Sequence, residues 1–465
     1  MNKKYSYLSQ NIFLFAISGF VPKLLAFFLV PIYTSYLTPE EYGISDLINT
    51  TVSLMLPIFT LDIQDAVMRF ALDKEHDNND VFSSAVRIIL CGTLFIGLGA
   101  LVASFLHIPQ ITNEYLFFFV ITFFCNAMYN SVSLFCRGID KVNVMVGGSI
   151  LNSIICLTAN IVFLVVFHWG LTGYLIANML GSLISLIYCF CGARLYRFIH
   201  WHISRETMHS MVVFSFPLIF NVIAWWINNA SDRYILTWIS GVAASGLLAV
   251  AYKIPTLLSV FQNIFSQAWS ISAIKEYDPN DSDGFIGNTY TMMNAGMVIV
   301  CSGLMIFTIP IAKILFSNEF FKAWCLVPPL LISVVFNAMS LFIGSIFTAV
   351  KDTKTLSVST IVGAVVNTIG NFVLIYAWGA YGAALATIIG YGTTLVMRHI
   401  ILRKHICMKI NMRRDILVYI LLFVQMFVSY FGLSYIIVEV FILASIVVIY
   451  RAEIGRFMRV CLSLS

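Results

Sequence analysis

Apolar runs of about 20 residues, the length of helix that crosses a bilayer, recur from one end of this chain to the other. They fall at roughly 10–35, 43–66, 84–106, 115–136, 143–167, 171–193, 211–236, 244–269, 288–312, 324–349, 356–377, 380–400, 415–432 and 434–450. No water-facing fold hides that much apolar surface. Composition agrees: 60% of residues are hydrophobic and 11% charged, with a mean hydropathy of +0.91, where a soluble domain has about half and about a quarter. The runs have helix length, not the alternation of barrel strands. The chain therefore reads as an all-α polytopic membrane protein of about fourteen transmembrane helices. Sharing 465 residues among fourteen spans leaves about 33 for each helix and its loop, too few for a large soluble domain. Met1-Asn2-Lys3-Lys4 before an apolar run resembles a signal peptide, but the run is too long and further spans follow, so it reads as the first membrane helix.

Charge placement orients the bundle. With the N-terminus inside, 22 of the 27 Lys and Arg residues fall on inner segments. Arg233, Lys313 and Lys322 fall outside, and Lys23 and Lys253 within spans. Both termini are then cytoplasmic. The net charge of +5 is explained by inner loops and implies no nucleic acid. Of ten cysteines only Cys325 lies near the outer face, so no disulfide is expected. Cys407, His399 and His405 sit close in sequence without a second cysteine pair, a weak zinc signal; no metal and no cofactor is expected. The connections 70–83 and 271–287 are acidic and rich in Asn and Asp, and read as mobile. Those at 194–210 and 401–414 follow spans six and twelve and read as lobe linkers; His200, His202, Arg205 and His209 read as an interfacial amphipathic stretch.

Spans five and six match spans eleven and twelve. Gly170, Gly173, Ala177 and Gly181 recur as Gly379, Gly382, Ala386 and Gly390, a constant offset of 209. Asn160 aligns with Asn371, Trp169 with Trp378, and Asp140 with Asp352. Six spans separate the copies, so both have the same orientation. That implies two pseudo-symmetric six-helix lobes, 1–200 and 201–410, with two C-terminal helices and a tail in 411–465. The small residues four apart read as close helix packing; two lobes with a seam suit alternating access.

Charges inside spans mark transport paths, because each costs a few kcal/mol at least in hydrocarbon. Lys23 lies about thirteen residues into span one beside Pro22, where a bend is expected. It lines a cavity or pairs with an acid such as Asp46. Lys253 lies in span eight two residues before Pro255. Arg233 either pairs with neighbouring Asp232 or faces a vestibule, and Arg69 either lines the cavity or anchors span two. Asp46, Asp62 and Asp65 lie on span two; Asp65 has Arg69 four residues on as a ready partner. One of the three acids is a candidate for proton or sodium coupling. Asn221, Trp225 and Asn228 bring amides and an aromatic to span seven, groups that suit sugars and also join helices. No Walker loop and no large outer loop is present, so neither ATP use nor a membrane glycosyl polymerase is favoured.

Lys23 and Pro31 to Gly43, followed by Leu61, Asp62, Arg69 and Phe70, resemble the bacterial polysaccharide (O-antigen and capsule-type) flippases of the multidrug/oligosaccharidyl-lipid/polysaccharide exporter superfamily. Phe214 to Pro217, Ser231-Asp232-Arg233-Tyr234 and Ala251-Tyr252-Lys253 resemble the second-lobe counterpart. The resemblance implies a V-shaped bundle of twelve helices in two lobes plus two more. It implies movement of an undecaprenyl-diphosphate-linked oligosaccharide between leaflets for surface polysaccharide synthesis. Polysaccharide polymerase and chain-length proteins are the implied partners. Related lipid II flippases carry cavity cations on spans one, two and eight, which by position would be Lys23, Arg69 and Lys253; the arginines usual there are lysines or absent here, pointing to the oligosaccharide branch. Physics agrees, since fixed cations offset the hydration a diphosphate loses. The alternative is an ion-coupled small-molecule or drug antiporter of the multidrug and toxin extrusion type.

Overall fold

The computed structural model describes residues 22–73, 76–106, 112–200, 204–350, 352–453 and 455, without the side chains at 221, 224, 225, 228, 229, 267, 268, 271, 275, 353 and 433. The first half of the first apolar run, Lys74, Lys351, Arg456 and Arg459 lie outside the described residues. Every described run is helical. Among the described residues seven helices are long and apolar enough to cross a membrane, and nine if each bent pair is one span.

The chain forms two compact units, Met1–Ala230 and Ser231–Ser465. In the first, residues 22–28 are helical and lead, after an interruption at Leu29, into α1 (Val30–Tyr36). The interruption lies two residues before Pro31, which has no N–H to give. Thr38 then starts α2 (Pro39–Phe59) with a capping box. Its hydroxyl accepts from Glu41 N at 3.2 Å, and Glu41 Oε2 accepts from Thr38 N at 2.8 Å. Pro39 sits at the first helical position, where no donor is missed. α2 ends at Thr60 and α3 (Ile63–Leu72) leaves at 56°. Next come α4 (Asn78–Phe105), α5 (Asn113–Gly138), α6 (Val142–Asn160) and α7 (Gly170–Gly192). α5 is the central post of this unit, packed against α2, α3, α4, α6 and α7.

α8 (Arg205–Ser240) runs from the first unit into the second. α9 (Val242–Ala251) and α10 (Lys253–Lys275) are a second bent pair, at 43°. α11 (Phe285–Ile306), α12 (Thr308–Leu315), α13 (Val327–Ala349), α14 (Thr353–Leu402), α15 (Met412–Ser429) and α16 (Ile436–Ile449) complete the unit. α13 is its axis: eighteen of its residues are buried, and α10, α11 and α14 pack around it. The sequence division at 200 and 410 follows the repeat, whereas the compact units divide inside α8.

The repeat is visible in the backbone. Gly170 and Gly379, at offset 209, both have φ of 56°. In α14, Gly379 has ψ of −134°, breaking the 50-residue helix into two. The halves fold back on each other: a Cβ on Gly390 would stand 2.6 Å from Asn367 Cβ, and one on Gly370 3.3 Å from that of Ala386. In the first copy a Cβ on Gly181 would meet Asn152 Oδ1 at 2.8 Å. The small residues therefore let paired helices approach closely. The copies differ by two residues between the aligned asparagine and glycine. The longer first copy accommodates them in a π-helical turn, Ile161–Val166, and a left-handed His168 (φ 55°); a π turn holds one residue more than an α turn.

Two expected loops are more ordered than their composition suggests. Segment 276–284 is clasped to 403–411: Tyr277 Oη donates to His405 O at 2.6 Å, and Cys407 N to Pro279 O at 2.9 Å. Asp281, fully buried, accepts from Ile286 N and Gly287 N at 3.0 Å each and so caps α11. The expected mobility of this stretch is thereby corrected; its Asp residues, Asp278, Asp281 and Asp283, serve as turn and cap acceptors. Likewise 194–200 is docked, with Leu195 buried and His200 N donating to Ser83 Oγ at 2.8 Å.

Candidate functional site

Each unit carries charged groups at a bend in one of its helices. In the first, the α2–α3 break places Leu61 and Asp62 in the left-handed region, with φ of 54° and 49°. Asp62 N closes the break on Pro57 O at 3.0 Å. The Asp62 side chain is 1% exposed; Oδ1 accepts from Gln64 Nε2 at 3.2 Å, and Oδ2 has no partner. A buried carboxyl oxygen left open at a helix break is a position from which a cation or proton can be held.

The neighbouring charges behave differently from the sequence expectation. Asp65 and Arg69 are both exposed on α3 and form no ion pair, although their spacing allows one. At an exposed site such a pair is worth only about 0.3–0.5 kcal/mol, too little to hold two long side chains together. Lys23 is exposed on helix 22–28 and forms no ion pair with Asp46. Asp46 lies instead half-buried near a tyrosine cluster on α1, α2 and α7. Tyr33 and Tyr42 stack at 4.7 Å, and Tyr174 meets each edge-on at 5.9 Å. Pro31-to-Gly43 therefore builds a packed aromatic corner as well as a helix start.

In the second unit the two stretches around Asp232 and Lys253 come together. Tyr252 Oη donates to Asp232 Oδ2 at 3.2 Å, and the Arg233 guanidinium lies over the Tyr252 ring at 5.7 Å. Asp232 is buried and accepts Arg233 N on Oδ1 at 2.9 Å. Tyr252 is the hinge residue between α9 and α10, so Lys253 begins the second half of a bent helix, half-buried. No acid pairs with Lys23, Arg69 or Lys253 among the described residues. Asn221, Trp225 and Asn228 lie on α8, with side chains outside the described residues. Trp226, between them, donates from Nε1 to Thr50 O at 3.0 Å and so joins α8 to α2.

Sequence reasoning missed two polar clusters in the second unit. Arg398 is buried on α14 and donates to Ser340 O at 2.6 Å, Ser359 Oγ at 3.0 Å and Thr360 Oγ1 at 2.9 Å; a Cβ on Gly344 would stand 2.9 Å from its Nη1. It is thus an internal strut, although its place near the end of an apolar run reads from sequence as one of the inner-segment cations. The second cluster runs across α11, α15 and the end of α16. Tyr419 donates to Asn294, Asn294 to Tyr450, and Tyr450 to Asp415, at 2.9–3.0 Å. Arg414 bridges Asp415 at 3.2 Å and Glu453 at 2.5 Å. Only tertiary pairing makes these residues conspicuous; the sequence signal was an Arg-Asp dipeptide among many loop charges. Among the described residues no group of three or more His, Cys, Asp or Glu is placed to hold a metal ion.

The chain is thus helical and multi-pass, with an internal repeat and bent spans, and among the described residues Lys23, Arg69 and Lys253 have no acid partner. A family model described as "Polysaccharide biosynthesis protein" matches residues 8–275, more than half of the chain, and the chain belongs to that family. No curated protein matches it in sequence. Among solved structures it is similar to lipid II flippase MurJ in an inward closed conformation, with a TM-score of 0.71 at 14% identity, covering 97% of this chain and 100% of that one. It is also similar to an inward-facing multidrug resistance MATE family transporter of the MOP superfamily (TM-score 0.65, 14% identity, 83% and 97% covered). A third is a MOP superfamily transporter from Pyrococcus furiosus (TM-score 0.56, 14% identity, 84% and 93% covered). At that identity the likeness is one of fold.

Proposed function

We propose that this protein moves an undecaprenyl-diphosphate-linked oligosaccharide across the bacterial cytoplasmic membrane by alternating access, for surface polysaccharide synthesis. The observation that carries the reading is a set of cations, Lys23, Arg69 and Lys253, without acid partners among the described residues, in a chain of the polysaccharide biosynthesis family. Arg233 joins them, held beside Asp232 and over Tyr252. A diphosphate entering a low-dielectric layer loses its hydration, and cations not already neutralised repay the most. The amides and ring of Asn221, Trp225 and Asn228 are the proposed sugar contacts. The proposed topology has fourteen spans, two six-helix lobes and both termini in the cytoplasm, with polymerase and chain-length proteins as partners.

The test is complementation of a strain lacking the native gene. At matched membrane expression, Lys23→Ala with Lys253→Ala is expected to lower surface polysaccharide at least tenfold; wild-type levels would sink the cation role. A second reading, an ion-coupled drug antiporter, is favoured by one observation: Asp62 is buried with an open oxygen at a helix break. It predicts that expression in an efflux-deficient host raises drug tolerance and that Asp62→Asn abolishes the gain. An unchanged tolerance excludes it.

A further inference from the structure

The last two helices lie outside the repeat, and α16 carries an acid, Glu439, that neither the transport reading nor the Asp415 cluster uses. Glu439 is near the start of α16 and is 5% exposed. Ser302 of α11 and Gln425 of α15, both fully buried, complete a polar triad with it. Ser302 Oγ donates to Gln425 Oε1 at 2.6 Å, and Gln425 Nε2 donates back to Ser302 O at 3.0 Å. Gln425 is thus anchored twice, and its amide also meets the Glu439 carboxyl. Glu439 Oε2 has no partner.

The elements packed against α16 are α11, α15 and the short turn Leu433–Tyr435. α11 brings only Cys301 and Tyr290 as titratable groups, and the turn only Tyr435. α15 brings Tyr419 in its middle. Its charges, Arg413, Arg414 and Asp415, lie at its far end, ten or more residues from Gln425, about 15 Å by helical rise. No Lys or Arg stands in the half of these helices that holds Glu439. An ionised carboxylate buried there would lack both water and a counter-charge, a cost of several kcal/mol that a bound proton removes.

We propose that Glu439 is a proton-binding site, protonated while α16 is packed on α11 and α15 and deprotonated when that packing opens. By linkage, proton loss and loosening of the two C-terminal helices favour each other. Under the proposed topology Glu439 lies about one helical turn inside the outer face, near enough to exchange its proton there. Only this placement rests on the transport reading.

The test uses the full chain in native membranes. Dicyclohexylcarbodiimide is an apolar reagent that adds a protonated carboxyl: the acid proton goes to nitrogen and the carboxyl oxygen to the central carbon, with no redox step. Peptide mass spectrometry is expected to find the adduct at Glu439 at neutral pH, falling at least tenfold at alkaline pH. In parallel, the purified full chain is expected to show the carbonyl band of a protonated carboxyl in the wild-type minus Glu439→Gln infrared difference spectrum; the substitution keeps the shape and the contact to Gln425, and the other buried acids cancel. A difference spectrum without that band together with no adduct at Glu439 overturns the proposal. Neither readout needs a substrate, so failure of the transport reading leaves this test intact.

Discussion

At the scale of single residues, three glycines separate backbone freedom from packing. Gly379, with φ 56° and ψ −134°, holds a conformation open to glycine alone, and its nearest neighbour for a new Cβ is Ser240 Oγ at 3.8 Å. Gly379→Ala therefore costs backbone strain only, about 1–3 kcal/mol. Gly382 is helical, but a Cβ there would stand 2.0 Å from Leu374 O. Backbone cannot step aside as a flexible side chain does, so Gly382→Ala is expected to cost more than Gly379→Ala and to pry the hairpin apart. Gly303, on α11, has open space around it. There the added methyl restricts only the unfolded chain, and Gly303→Ala is expected to gain about 0.5–1 kcal/mol. Thermal unfolding of the three purified variants in detergent measures the order; a Gly382→Ala variant as stable as wild type would refute the close approach.

At the scale of elements, legibility followed the range of the interactions. Thr38 and Glu41 are three residues apart, and the capping box they form could be read directly from the chain. The helix break at Gly379 was legible because its partner, Gly170, repeats it. The bend before Lys253 and the interruption at Leu29 each lie two or three residues before a proline, Pro255 and Pro31, but the sequence reading expected a bend only at Pro22. The Asp281 cap was not legible, because the partner that encloses it, the 403–411 segment, lies about 128 residues away. The same holds for the Ser302–Gln425 pair and for buried Arg398. The clasp has a pH signature. Hydrogen bonds from Thr355, with His405 beside it, hold the Asp352 carboxyl below its usual range. Bonds from Ser282 and Asn280 do the same for Asp278. Because the folded-state values are lowered, the stabilisation is complete above the unfolded carboxylate value of about 4 and is lost as pH falls below it. Hydrogen exchange in 276–284 and 403–411 is expected to quicken as pH drops from 5 to 3 after correction for intrinsic rates, and to respond less in Asp352→Asn.

At the scale of the whole molecule, hydropathy and the spacing of small residues were enough for the fold class, because a bilayer punishes every alternative to helix. The candidate site was less legible, because a charge in a span says that it needs a reason without saying which. Asp65 and Arg69 show the limit: correct spacing, no pair. Under the proposed topology of fourteen spans with the N-terminus inside, 22 of the 27 Lys and Arg residues fall on the cytoplasmic side, and that topology can be tested directly. Ser240, exposed at the turn between α8 and α9, should then face the outside, and Asp283, exposed in the clasped loop before α11, the cytoplasm. In a cysteine-free background, a membrane-impermeant maleimide applied to intact cells is expected to label Ser240→Cys and to label Asp283→Cys only after permeabilisation. Labelling of both from outside would mean that a span between 240 and 283 does not cross. Labelling of Asp283→Cys alone would invert the topology, moving the proposed site for proton exchange at Glu439 to the cytoplasmic face.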